Sequence, residues 1–124
     1  YSKVGSYKGN QPAGSAGQFD GTFEYTGFRP AYVMIRRAKT SGTADWLVFD
    51  NTRNVYNPVD KFLEPNTSDT ESTASSSGYE IDLDFVSNGF KLKGPAGGIG
   101  SNSADAPYIY LAFAETPFKY ANAR

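Results

Sequence analysis

The stretch Tyr79-Glu-Ile-Asp-Leu-Asp-Phe-Val-Ser-Asn-Gly-Phe-Lys-Leu-Lys93 decides the fold class. Its first half alternates apolar residues with carboxylates, which is the pattern of a β-strand with one buried face and one solvated face. Ser87-Asn-Gly89 has the composition of a tight turn, and the alternation then returns with lysines in place of carboxylates. The stretch therefore predicts a β-hairpin in which aspartates of the first strand can face lysines of the second.

Strand patterns also occur on both sides of this hairpin. They are rich in aromatic and β-branched residues and are separated by segments rich in Gly, Pro, Ser and Asn. The predicted strands are Tyr1–Tyr7, Phe19–Tyr25, Ala31–Arg36, Asp45–Asp50 and Tyr108–Ala114. With the hairpin they predict a single all-β domain over residues 1–124, either an antiparallel β-sandwich (jelly-roll-like) or a small barrel of about seven to eight strands.

Two predictions concern the position of individual segments. Asp45–Asp50 is apolar on both faces, which predicts a central strand, and Thr40–Thr43 predicts the turn of a hairpin with Ala31–Arg36. The stretch from Asn51 to Asp69 has no strand pattern. We expect its apolar side chains to attach it to the body of the domain; they are Tyr56, Val59, Phe62 and Leu63.

Composition excludes several classes of function. The 124 residues carry 12 basic and 13 acidic side chains, so the net charge of −1 gives no field to hold nucleic acid or an anionic membrane. The sequence contains no run of about 18 apolar residues, so it predicts no membrane span. The chain has no Cys and no His, which excludes thiol nucleophiles, Ser-His-Asp triads and histidine or thiolate metal sites. We therefore predict no enzymatic activity, no cofactor and no metal. Because the sequence begins with Tyr and has no signal-like start, we expect a processed product or a piece of a longer chain.

The acidic row of the hairpin is the first candidate site. Glu80, Asp82 and Asp84 lie on alternate positions, and alternate residues of a strand are about 6.6 to 6.8 Å apart. That spacing suits a carboxylate pair for glycoside hydrolysis or a Ca²⁺ ligand set. The pattern favours instead a solvated face paired with lysines, because such alternation is ordinary in half-exposed strands.

A second candidate site combines an aromatic ring with hydrogen-bonding groups. Trp46 is followed by Arg53, Asn54 and Tyr56, and a ring flanked by such groups can stack on a sugar and bind its hydroxyls. This combination predicts a glycan-binding site. Alternatively, Trp46 anchors the core from a central strand.

The number of aromatic residues predicts an assembly interface. One Trp, nine Tyr and nine Phe are too many for so small a core, and aromatic residues are enriched at interfaces. We expect Tyr7, Phe118 and Tyr120 to contact other copies of the chain. Phe118 and Tyr120 point to one side of an extended segment after Pro117.

Six segments together resemble the C-terminal domain of tailed-phage tail and tail-fibre structural proteins, and they cover nearly the whole chain. They are Lys3-Val-Gly-Ser-Tyr-Lys-Gly-Asn10, Phe23-Glu-Tyr-Thr-Gly-Phe-Arg-Pro-Ala-Tyr-Val-Met-Ile-Arg36, Trp46-Leu-Val-Phe-Asp-Asn-Thr-Arg-Asn-Val-Tyr-Asn-Pro58, Leu63-Glu-Pro-Asn-Thr-Ser-Asp69, Asp84-Phe-Val-Ser-Asn-Gly-Phe-Lys-Leu-Lys93 and Tyr108-Ile-Tyr-Leu-Ala-Phe-Ala-Glu-Thr-Pro-Phe-Lys-Tyr-Ala-Asn-Ala-Arg124.

The resemblance implies a non-enzymatic structural protein of the virion, located in the tail or otherwise extracellular. Such a domain assembles with copies of itself and can contact the host surface. Its expected partners are other copies, other virion proteins and host-surface glycans, without nucleic acid and without a membrane span. The alternatives are a carbohydrate-binding module and a carboxylate-dependent polysaccharide depolymerase.

Overall fold

The computed structural model describes residues 1–10, 21–38, 44–73, 82–93 and 106–116. These residues form β-strands that pair only antiparallel, which confirms the all-β prediction. The strands are β1 (Ser2–Lys8), β2 (Phe23–Tyr25), β3 (Pro30–Arg37), β4 (Leu47–Asp50), β5 (Lys61–Phe62), β6 (Ser72–Thr73), β7 (Asp82–Val86), β8 (Gly89–Lys93) and β9 (Pro107–Ala114). None of the described segments is a helix that could cross a membrane.

The larger sheet has the strand order β1-β9-β3-β4. Strand β9 pairs with β1 on one side and with β3 on the other, so the last of the described strands is central. Alternate residues of β9 point into the core, namely Tyr108, Tyr110 and Ala112. The residues between them point to the opposite face of the sheet, which explains why this strand is apolar throughout.

The smaller sheet contains the hairpin predicted from the sequence. Its order is β2-β8-β7, and β7 joins β8 through a turn at Ser87 and Asn88. Asp84 lies opposite Lys91, and its carboxylate is 3.0 Å from the Nζ of the diagonal Lys93. The hairpin and its charge pairing are therefore confirmed for the described residues.

Aromatic side chains join the two sheets into a sandwich. Tyr7 meets Phe90 edge-on with ring centroids 6.3 Å apart, and Phe90 meets Tyr110 edge-on at 5.1 Å. Gly5 makes room for this packing, because a Cβ there would be 2.6 Å from the Tyr110 ring. In the described part of the chain the sheets stay separate and close no barrel, so the sandwich is the correct one of the two predicted folds.

Two predictions about the middle of the chain are corrected. The stretch from Asn51 to Asp69 contains β5, which pairs with β6. Strand β4 is the last strand of the larger sheet and is not central, although a bridge between Val48 and Leu63 continues the pairing at its outer edge. Val48 is buried on the second face of β4, which accounts for the doubly apolar pattern of that strand.

Some predictions fall on residues outside the described ranges. They concern the turn at 40–43, the first part of the predicted second strand, the first part of the acidic row at 79–81, and the tail with Phe118 and Tyr120.

Candidate functional site

The segment from Asn51 to Asp60, which we call the Tyr56 loop, begins at a capping carboxylate. Asp50 Oδ1 accepts hydrogen bonds from the backbone N–H groups of Thr52 and Arg53, at 2.9 and 2.8 Å. Its Oδ2 accepts a third from Arg53 Nε at 2.7 Å. The guanidinium of Arg53 also donates to Glu71 at 2.6 Å, and this bond is the main reason why its pKa lies above the ordinary value.

Two asparagine side chains fix the rest of the Tyr56 loop. Asn54 Nδ2 donates to Asp60 at 2.9 Å, and Asn54 Oδ1 accepts from the backbone N–H of Lys61 at 2.9 Å. Asn57 Nδ2 donates to the carbonyl of Phe85 at 2.9 Å, and Asn57 Oδ1 accepts from the N–H of the same residue at 3.0 Å. The Asn57 amide therefore pairs with the edge of β7 as a neighbouring strand would.

The tip of the Tyr56 loop carries two exposed apolar side chains. Val55 is 69% exposed and Tyr56 is 83% exposed. The prediction that Tyr56 attaches this segment to the domain is therefore wrong, whereas Val59 and Phe62 are buried as expected. The side-chain bonds to Asp50, Asn54 and Asn57 already hold the loop, which leaves its aromatic ring free of a packing role.

The predicted glycan site is divided by the structure. Arg53, Asn54 and Tyr56 share the Tyr56 loop, but Trp46 precedes β4 and lies at its opposite end. Four residue steps along a strand separate Trp46 from Asp50 by about 13 Å. The polar groups of Arg53 and Asn54 bind Asp50, Glu71 and Asp60, so Tyr56 is the member of the group that is most open to a ligand.

Trp46 belongs instead to an apolar surface on the side of the larger sheet that faces away from the core. We call this surface the outer face. Its members line a shallow hollow or extend the same rows of the sheet; they are Val4, Tyr32, Met34, Trp46, Ile109, Leu111 and Phe113. Val4 is 74% exposed and Phe113 is 45% exposed. Exposed apolar side chains that form one contiguous surface mark interaction sites, whereas scattered ones do not.

The strand register arranges the outer face in three rows. Val4, Leu111 and Met34 form the middle row. Phe113 lies opposite Tyr32 in one end row, with ring centroids 5.7 Å apart.

Ile109 lies opposite Arg36 in the other end row. The Arg36 guanidinium lies 5.6 Å from the centroid of the Trp46 ring. Its Nε also donates to the carbonyl of Ala44 at 3.2 Å, which holds the side chain at this corner of the outer face.

The sequence analysis missed the outer face. The signal was present in β9, where Ile109, Leu111 and Phe113 alternate with the core residues. A strand that is apolar on both faces does not show by itself which face is buried, and only one face of β9 contributes to the core.

Tyr7 corrects one predicted interface residue. Its ring is 5% exposed and packs between Tyr108 and Phe90 in the core, so it is not available to a partner. Burial raises the pKa of Tyr7 well above its ordinary value, and the charge of Tyr108 adds to the effect. The surplus of aromatic residues is instead exposed at positions such as Tyr56 and Phe113.

Titratable groups form no recognisable catalytic arrangement among the described residues. Asp84 pairs with Lys93, but its Oδ1 is buried without a hydrogen-bond partner, so this position is less solvated than the sequence favoured. Glu24 lies opposite Phe90. Partial burial raises its pKa above the ordinary value, and the nearby ammonium of Lys3 offsets part of this rise. In the same part of the chain no group of three or more acidic side chains is placed to hold a metal ion.

Comparison with known proteins gives a family and nothing more specific. The sequence matches a family described as "Domain of unknown function (DUF7483)" over residues 1–117. No curated protein and no solved structure matches the chain. Because the match covers most of the sequence, the chain belongs to the family of DUF7483 domains.

Proposed function

We propose that this domain is a non-enzymatic structural component of a virion, of the phage tail or tail-fibre type, that assembles with copies of itself. The outer face carries the proposal. A sandwich needs one apolar face on each sheet, to form the core between them. The larger sheet has a second apolar face, the outer face, which the described residues leave partly exposed. An exposed apolar sheet face is a liability for an isolated domain and an asset for one that assembles.

The composition and the observed pairing of Asp84 also support this proposal. Without His or Cys, the chain lacks the commonest general base and the thiol nucleophile. Asp84 is the acidic side chain of the predicted row that the structure describes, and it is already paired with Lys93 within the chain. The resemblance to phage tail domains provides the biological setting.

Light scattering together with electron microscopy tests the proposal. We expect the mass of the particle to rise with protein concentration and ordered assemblies to appear at high concentration. A chain that remains monomeric at every concentration would contradict the proposal. So would the release of reducing ends from bacterial surface polysaccharides that disappears in the Asp84→Asn variant.

The Tyr56 loop supports a second function, the binding of a host-surface glycan. The loop is shaped by its own hydrogen bonds before any ligand arrives, which lowers the entropy cost of binding. An exposed tyrosine ring on such a loop can stack on the apolar face of a sugar.

A glycan array tests this function with a matched pair of variants. We expect Tyr56→Ala to abolish binding, whereas Tyr1→Ala, which removes another exposed tyrosine, leaves it unchanged. An array without any bound glycan, or equal binding by Tyr56→Ala, would remove the carbohydrate-binding function.

A further inference from the structure

We propose that the outer face binds the outer face of a second copy of this chain, in a two-fold symmetric pair whose axis runs along the middle row of Val4, Leu111 and Met34. The inference rests on the proposed function and specifies the surface that the assembly uses. It follows from the pattern of the three rows, the position of the charged residues and the size of the face.

The middle row is suited to self-pairing because it is apolar on three adjacent strands. Val4 on β1 lies opposite Leu111 on β9, which lies opposite Met34 on β3. If the two-fold axis lies along this row, each of these side chains meets the same residue of the second copy. Apolar groups can pair with themselves, whereas a charged row would repel its own copy.

The two end rows differ, and this axis brings unlike rows together. Arg36 belongs to one end row, and Tyr32 belongs to the other, where its strand neighbour is Asp50. The rotation places Arg36 above Tyr32 of the second copy. A guanidinium over an aromatic ring is a favourable contact.

An axis parallel to the strands is disfavoured by the position of Arg36. Along β3 it would lay Arg36 on Arg36 of the second copy, and like charges brought together at an interface oppose association. Along β9 it would lay β3 on β1 and Arg36 on Ser6, so the contact between Arg36 and an aromatic ring would be lost. The position of Arg36 therefore favours the axis that exchanges the two end rows.

The size of the face sets the strength of the pair. Three strands about 4.8 Å apart and three rows about 6.8 Å apart give a footprint of about 300 Å² per copy. Two copies then remove roughly 600 Å² from water, which is below the range of stable dimers and typical of weak, reversible contacts. The contact becomes effective where many copies are held together, as in an assembled particle.

Single-cysteine variants test the axis directly, because the chain has no cysteine of its own. Facing sheets lie about 10 Å apart, a distance that a short bis-maleimide can span. We expect Val4→Cys to crosslink to itself, because Val4 lies on the axis. Ser2→Cys mixed with Ser6→Cys should give more crosslinked pairs than either variant alone, because the rotation places these end-row positions opposite each other.

The exposed Val55→Cys serves as the control and should give only background crosslinking. Crosslinking of Val4→Cys at the level of this control would overturn the proposed two-fold pair. So would equal crosslinking of Ser2→Cys alone and of Ser2→Cys mixed with Ser6→Cys. If the unmodified chain still gains mass with concentration in these cases, the proposed function stands and only the interface is wrong. If the unmodified chain is monomeric, the proposed function itself fails.

Discussion

At the scale of single residues, Gly89 shows how closely two strands approach each other. A Cβ at Gly89 would be 2.0 Å from the backbone oxygen of Glu24 on the paired strand β2. Backbone atoms cannot rotate away as a flexible side chain can, so any larger residue must push the strands apart.

We therefore expect Gly89→Ala to destabilise the domain by about 1–3 kcal/mol, which is the usual cost of overpacking. Ser87→Ala, at an exposed position of the same turn, should change the stability by less than about 0.5 kcal/mol. Urea unfolding of both variants measures the difference. Equal midpoints for Gly89→Ala and the unmodified protein would show that the strands can separate without cost.

Glu24 predicts a pH dependence with a definite sign. Partial burial raises its pKa above the ordinary value of 4.5, partly offset by Lys3. The folded state therefore binds a proton at Glu24 more tightly than the unfolded state does. The resulting stabilisation of the fold is complete below the unfolded pKa and is lost as the pH rises through the folded pKa. Tyr7 and Tyr110 lie near the same carboxylate, and burial raises their pKa values above the ordinary 10.0, so both hydroxyls stay neutral in this range.

Comparison with Glu24→Gln isolates this contribution. The stability of the unmodified protein relative to Glu24→Gln should fall as the pH rises from about 3 to about 8, because only the unmodified protein carries the group. Urea unfolding across this range measures the relative stability. A difference that stays constant or grows with pH would contradict the burial of Glu24.

At the scale of elements, the Tyr56 loop is held against β7 by the two hydrogen bonds between the Asn57 amide and the backbone of Phe85. Asn57→Ala removes both hydrogen bonds to Phe85. The backbone N–H and carbonyl of Phe85 are then left without their partner. We expect a loss of about 1–3 kcal/mol and faster hydrogen exchange at the Phe85 amide. Asn66→Ala, which removes side-chain bonds to Trp46 and Asp45 at an exposed site, should leave exchange at Phe85 unchanged. Unaltered exchange in Asn57→Ala would show that the remaining contacts of the loop protect Phe85 without the Asn57 amide.

The same scale shows what the sequence could predict. The hairpin from Asp82 to Lys93 was predictable, because strict alternation and a turn signal are local properties. The end position of β4 was not, because its apolar pattern is the same whether a full strand or only a bridge to the distant Leu63 lies beside it. Nor could the sequence show that Arg53 and Asn54 use their polar groups within the protein, since Glu71 and Asp60 reach them only in the folded chain.

At the scale of the whole molecule, the two sheets use their faces differently. The smaller sheet turns Leu83, Phe85, Phe90 and Leu92 into the core and places charges such as Lys91 on its other side. The larger sheet is apolar on both sides, which the sequence revealed only as doubly apolar strands. Which of its two faces is buried depends on the pairing of β9 with both β1 and β3.

Sedimentation equilibrium of the unmodified chain beside Met34→Lys and Val55→Lys tests self-association through the outer face most directly. Met34→Lys places a charge in the middle row, where it meets its own copy across the pair, while Val55→Lys makes the same chemical change on the Tyr56 loop. We expect the weight-average mass of the unmodified chain and of Val55→Lys to rise with concentration, and that of Met34→Lys to remain at the monomer value with an unchanged circular dichroism spectrum. A monomeric unmodified chain, or a folded Met34→Lys that associates equally well, would contradict the role of the outer face.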